Sequence, residues 1–189
     1  MARSAAETRQ RIVDAAYGLF WRQGFVRVSL DDIAARANVT KRTLYQHFRS
    51  KDDLMAEVLA HTSELALRRL QEIAERLPTE RDAMLDAMFA ELGEWSEKPR
   101  WAGPGFTRAV SELADLPGHP ARKIARQHKT AAERWYVDLL SRAGVLAAEA
   151  RGREIMLLVE GTMALMLIHG DRSYAEAAAG AAKRLVNGK

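Results

Sequence analysis

Residues 29–51 of this 189-residue chain read SLDDIAARANVTKRTLYQHFRSK. Ser29 followed three positions later by Asp32 is a helix-start signal, because each side chain can satisfy a backbone N–H that the first turn leaves unpaired. Ile33, Ala34 and Ala37 then form one small apolar face. Asn38 is one of the few residues besides glycine that enters the left-handed region at modest cost, so the chain can turn sharply at Asn38 and Val39. Thr40 suits the cap of a second helix, in which Leu44 and Phe48 sit four apart and can point inward. Lys41, Arg42, Thr43, Tyr45, Gln46 and His47 cover its other faces. Two helices, a short turn and a polar second helix make a helix-turn-helix.

Charge is divided unevenly around this segment. Residues 1–51 hold ten Lys plus Arg against four Asp plus Glu, a net of +6, while the other 138 hold nineteen against twenty-one, a net of −2. The formal +4 therefore averages two different surfaces. A basic end on a slightly acidic body is what phosphate binding needs, since neutralised phosphates release counterions and supply most sequence-independent affinity. With 48% apolar and 29% charged residues, the chain can bury a sizeable core as one large or two small domains.

Several function classes are excluded. Without cysteine there is no disulfide framework, thiolate metal site or cysteine nucleophile, and a reducing compartment is compatible. The five histidines are scattered without metal-ligand spacing, and no glycine loop suited to cradling phosphate occurs. Glu160 and His169 on an apolar helix read as paired interface groups rather than acid-base catalysts. Neither an enzyme nor a cofactor or metal is expected. The polar start MARSAAETRQ lacks the apolar core of a signal peptide. Residues 155–169 are apolar but shorter than a spanning helix and contain Glu160, so no membrane segment is expected. A cytoplasmic, nucleoid-associated location is expected if the helix-turn-helix and its basic end bind DNA.

Periodicity predicts helices and almost no strand. All five prolines lie at or beyond Pro78, and with the glycines they punctuate the second half of the chain. The first helix is expected over 5–23, with Ile12, Ala16, Leu19 and Phe20 on one face, followed by the two of the helix-turn-helix. A fourth runs over 51–77 and is closed by Pro78; a fifth starts at Thr79 with Asp82 three later and runs to 97. The rest are expected over 106–116, 120–143, 153–169 and 173–186, with Gly144, Gly152 and Gly170 as breaks. The predicted fold class is all-α, with about nine helices.

One wider pattern is specific. Arg11-Ile12, Ala15-Ala16, Leu19-Phe20, Gly24-Phe25, Asp32-Ile33-Ala34, Val39-Thr40, Leu44-Tyr45, His47-Phe48, Lys51 and Leu54 stand in the order and at the offsets of the tetracycline-repressor (TetR) family DNA-binding domain, which this quarter of the chain resembles. Asn38 stands where that family usually has glycine, and Val28 where a small hydroxyl residue is common. The resemblance implies two domains: 1–51, a three-helix DNA-binding domain whose linking fourth helix starts near 51, and 52–189, a helical ligand-binding and dimerisation domain. It also implies that Tyr45, His47 and Lys51 hold the phosphate backbone, which fixes register without reading sequence. The alternative for Tyr45 is a half-buried aromatic covering the small core, and for His47 a surface or carbonyl-bonded histidine. Thr40, Lys41, Arg42, Thr43 and Gln46 lie where the second helix can face base edges; Arg42 can bond guanine O6 and N7, and Gln46 can pair with adenine. Arg3, Arg9 and Arg11 are either near the DNA backbone or simply solvated.

One recognition helix reads only a few base pairs, so a homodimer on a palindromic double-stranded operator is expected. Ile155, Leu158, Val159, Thr162, Met166 and His169 make a long apolar stripe, with Gly161 and Ala164 permitting close approach. The corresponding helices form the family's four-helix interface; the alternative is that the stripe is the core of its own subunit. Met88, Phe89, Trp95, Trp101, Phe106, Trp135 and Met163, with Met84 and Met166, are large and adaptable and can line an apolar cavity, with His128 and Arg108 orienting a small effector. Packed core is the alternative reading for each. The resemblance implies a repressor released from its operator by a small, largely apolar effector. An activator, or an effector-independent architectural protein whose second domain only dimerises or docks a protein, is the alternative.

Overall fold

The computed structural model describes residues 4–99 and 101–188. Among them are nine α-helices and no strand: α1 (Ala5–Gln23), α2 (Leu30–Arg36), α3 (Lys41–His47), α4 (Lys51–Ala74), α5 (Arg81–Ser96), α6 (Gly105–Glu112), α7 (Pro120–Arg142), α8 (Ala148–His169) and α9 (Ser173–Asn187). No described helix is long and apolar enough to cross a membrane.

Local chemistry accounts for most boundaries. Ser4 and Glu7 form a reciprocal capping box at α1, as Ser29 and Asp32 do at α2, and the Thr40 hydroxyl accepts the Thr43 N–H at α3. Asn38 has φ 50°, the left-handed turn expected between α2 and α3. α5 is capped by Glu80, whose carboxylate accepts the Asp82 and Ala83 N–H groups, so the helix starts two residues after Thr79. Pro120 opens α7, where its missing N–H costs nothing.

The largest departure from the sequence expectation is α8, which starts five residues before 153 and carries Gly152 inside it. Gly152 is a packing residue rather than a break. A Cβ there would lie 2.5 Å from Val137 Cγ2 and 3.0 Å from the Val137 backbone nitrogen, so only glycine lets α8 approach α7 this closely.

The chain forms two compact units. The first comprises residues up to Glu64 together with Gly105–Gln127, and the second Leu65–Pro104 with the residues from His128 onward. In the first, Ile12, Ala16, Phe20, Phe25, Ile33, Leu44, Leu54 and Leu59 are fully buried, and Phe106, Ala109, Leu113, Ala121 and Ala125 belong to the same cluster. Val28 lies there too, 1% exposed. Phe20 stacks on Phe25, which Trp21 meets edge-on. In the second unit, α9 packs on α5 and α8. Its core joins Met84, Leu85 and Phe89 of α5, Tyr136 and Leu140 of α7, Ile155, Val159 and Met163 of α8, and the alanines 178, 179 and 182 of α9. Ala179 and Ala182 are small enough for close helix approach, which explains the alanine-rich face of α9.

Candidate nucleic-acid interface

The outer face of α3 is sorted by its own hydrogen bonds. Leu44 is fully buried and Phe48 nearly so, which turns Arg42, Tyr45 and Gln46 outward. Among the described residues these three side chains bond to nothing, and Tyr45 is 48% exposed. The other candidates already serve the helix. The Thr40 and Thr43 hydroxyls are bonded to each other at 2.8 Å. The Lys41 ammonium reaches both oxygens of Asp31 at 2.9 and 3.0 Å, and that bond raises its pKa. Lys51 Nζ donates to the Val26 carbonyl at 2.7 Å, and burial lowers its pKa. His47 is half-buried on the rim of an open groove of about 450 Å³, beside Arg49 and Asp53.

Arg9 and Arg11 are neither free nor merely solvated. Arg9 lies over the Phe48 ring, 4.5 Å from its centroid, and pairs with Glu57. Arg11 donates to the carbonyls of Ala37 and Asn38, fastening the tight turn from outside. Arg3 lies outside the described residues. Sequence reasoning passed over Arg27, Arg36 and Arg49, which the fold leaves exposed in the same unit. Only the charge excess of residues 1–51 hinted at them.

The eight effector candidates fall into two places. Met88, Phe89 and Met163 are buried in the second unit's core, against which Trp101 and Trp135 pack half-buried. Trp95, 37% exposed, meets Trp101 edge-on at 6.2 Å. The Trp101 indole N–H is buried with no hydrogen-bond partner among the described residues. His128 is buried in this unit, and its pKa falls to about 4 through burial and the neighbouring Lys129, against the opposing pull of Glu160. Lys129 and Glu160 are themselves paired, and burial raises the pKa of Tyr136. Phe106 stands apart, packed in the first unit, and Arg108 bonds there to Trp21 and Glu112.

Of the six interface candidates, Ile155, Val159, Thr162 and Met166 are buried within their own unit, and Leu158 packs half-buried on its core. His169 is exposed, stacked on Tyr174. Among the apolar residues that α8 turns to solvent, Leu157 (70% exposed), Leu165 and Ile168 (71% exposed) are on the opposite side, with Gly161 open beside them.

A basic three-helix unit with a capped turn and an outward polar third helix defines the helix-turn-helix fold of a DNA-binding transcriptional regulator. Residues 12–58 match the family model of the bacterial regulatory proteins of the tetR family. The N-terminal part of the chain is therefore similar to the DNA-binding domain of that family. The uncharacterized HTH-type transcriptional regulator TtgW of Pseudomonas putida is 48% identical over 59 residues, which are 31% of this chain and 44% of that protein. The HTH-type transcriptional regulator YjdC of Escherichia coli is 26% identical over 169 residues, 89% of this chain and 86% of that protein. The crystal structure of a TetR-family transcriptional regulator from Streptomyces coelicolor superimposes with a TM-score of 0.84 at 27% identity, over 96% of this chain and 95% of that one. The chain matches less than half the length of the first three curated relatives: 44%, 28% and 25%. The relatives and the solved structure just named are transcriptional regulators.

Proposed function

We propose that the protein is a homodimeric, sequence-specific repressor that leaves a palindromic operator when a small, largely apolar effector binds. The observation that carries the DNA-reading part is the division of labour on α3 and the residues flanking it. Thr40, Thr43, Lys41 and Lys51 are spent on holding the local fold, while Arg42, Tyr45 and Gln46 are exposed and bond to nothing among the described residues. Fixed helix, free donors is the arrangement that base and phosphate contacts require. Arg42 and Gln46 are assigned to base edges and Tyr45 to a phosphate; Lys41 and Lys51 reach phosphates by exchanging their internal partners.

A second copy is required for operator-length recognition, with half-sites roughly 34–36 Å apart. Its proposed contact is the outward face of α8, because large apolar side chains such as Leu157 and Ile168 otherwise stand in water. Effector binding is supported by the adaptable side chains around Trp101 and by its unpartnered indole N–H. Such a buried donor costs about 1–3 kcal/mol and favours a ligand that brings an acceptor. His128, neutral at physiological pH, adds a polar group that imposes no charge requirement on the guest.

Coupling between the two ligands is necessarily reciprocal, so operator DNA weakens effector binding by the same factor by which effector weakens operator binding. The test is to measure the affinity of a screened effector with and without saturating operator. Weaker binding in the presence of operator is the expected result; identical affinities would refute the switch.

A further inference from the structure

The bend that leads from α1 into the helix-turn-helix is held by charged side chains from elsewhere in the first unit. Glu112, the last residue of α6, accepts the Phe25 N–H at 2.7 Å and the Val26 N–H at 3.0 Å through one carboxylate oxygen. Arg108, one turn earlier, bonds the other oxygen at 2.9 Å and donates to the Trp21 carbonyl at 3.0 Å. From α4, Lys51 donates to the Val26 carbonyl. Four backbone polar groups between Trp21 and Val26 therefore end on three ionised side chains. The backbone is shaped to fit. Gly24 has φ 99°, and a Cβ at that position would sit 3.1 Å from both Glu112 oxygens and 3.3 Å from Arg108 Nη2. Gly105, at the start of α6, leaves room for the Trp21 indole, from which a Cβ would be 2.7 Å away.

Position in the chain gives this cluster its consequence. Three residues after Val26 comes Ser29, the cap of α2, so the bend sets where α2 begins. The α2 helix in turn carries the turn at Asn38 and the base of α3. Hydrogen bonds to ionised groups are shorter and stronger than neutral ones, and a carboxylate shared by successive N–H groups fixes orientation as well as distance. We propose that Arg108 and Glu112 are positioning residues for operator binding: a latch that sets the pose of α2 and α3 although neither residue touches DNA. This rests on the DNA-reading function proposed above.

The test uses full-length Glu112→Ala, Glu112→Gln and Arg108→Ala. Affinity is measured for the wild-type protein's best DNA site, together with amide hydrogen exchange in the absence of DNA. The expected result is about tenfold weaker binding for Glu112→Ala, and a partial rescue for Glu112→Gln, which keeps an acceptor oxygen without the charge. The Phe25 and Val26 amides should exchange at least about tenfold faster in Glu112→Ala, with the amides of Phe20 and Leu44 unchanged. The salt dependence of binding should not change, because no phosphate contact is removed. Fast exchange at Phe25 and Val26 with undiminished affinity would overturn the positioning role, and unchanged exchange would overturn the latch itself. If Glu112→Ala fails to fold, Glu112→Gln carries the same two readouts. A wild-type protein that selects no DNA site would refute the DNA-reading function, while the exchange measurement would still decide whether the bend is latched.

Discussion

Asn38 shows how one side chain settles a local structure. Its φ of 50° is costly for residues with an ordinary Cβ and modest for asparagine, and Arg11 then bonds the carbonyls on both sides of the turn. Asn38→Ala should cost about 1 kcal/mol, and Asn38→Gly should stay within about 0.5 kcal/mol of the wild type. Thermal unfolding of the two variants checks this; equal losses would mean that the asparagine side chain, not its backbone, matters. The turn was legible in the sequence because its causes are local: a cap, a left-handed residue and a second cap within twelve positions, Ser29 to Thr40. The roles of Lys41, Lys51 and Arg11 were not. Each is bonded to residues ten to twenty-seven positions away, and nothing in a neighbouring pattern announces such a partner.

At the scale of a helix, α8 was legible as apolar and not as oriented. Ile155, Val159, Thr162 and Met166 line one side and Leu157, Leu165 and Ile168 the other, so the helix is hydrophobic nearly all round and periodicity does not choose its buried face. The small residues of α9 decide it by sharing a core with Ile155 and Val159. Leu157→Glu combined with Ile168→Glu should convert a dimer to a monomer in sedimentation without loss of helical content. A dimer that survived would reject the proposed face. Gly152 supplies a second test. Glycine to alanine inside a helix usually stabilises by about 1 kcal/mol, but here the new Cβ meets Val137 at 2.5 Å, and overpacking costs about 1–3 kcal/mol. Gly152→Ala should therefore lower stability in denaturant unfolding, and a gain would mean that α7 and α8 part easily.

For the molecule as a whole, the division into two units crosses the order of the chain. The helix-turn-helix was legible in the sequence, but not that residues 105–127 fold with it, because the contribution of Phe106, Leu113 and Ala121 to that core is a contact across more than forty intervening residues. A whole-molecule property also follows from His128. Its pKa is about 4 when folded and near 6.5 when unfolded, so the unfolded chain binds the additional proton between those values. The stabilisation is fully present above pH about 6.5 and is lost as pH falls towards 4, by on the order of 2 kcal/mol. Urea unfolding across this range should show a shallower pH slope for His128→Gln than for wild type; parallel slopes would place the histidine in water.

Selection of bound DNA from a random pool, with wild-type protein and with Arg42→Ala and Tyr45→Ala, bears on all three scales at once. The expected outcome is a palindromic site, with Arg42→Ala relaxing one position in each half and Tyr45→Ala weakening every sequence alike. Recovery of no preferred sequence, with only steeply salt-dependent binding that both variants leave unchanged, would contradict the assignment of α3 as the reading helix.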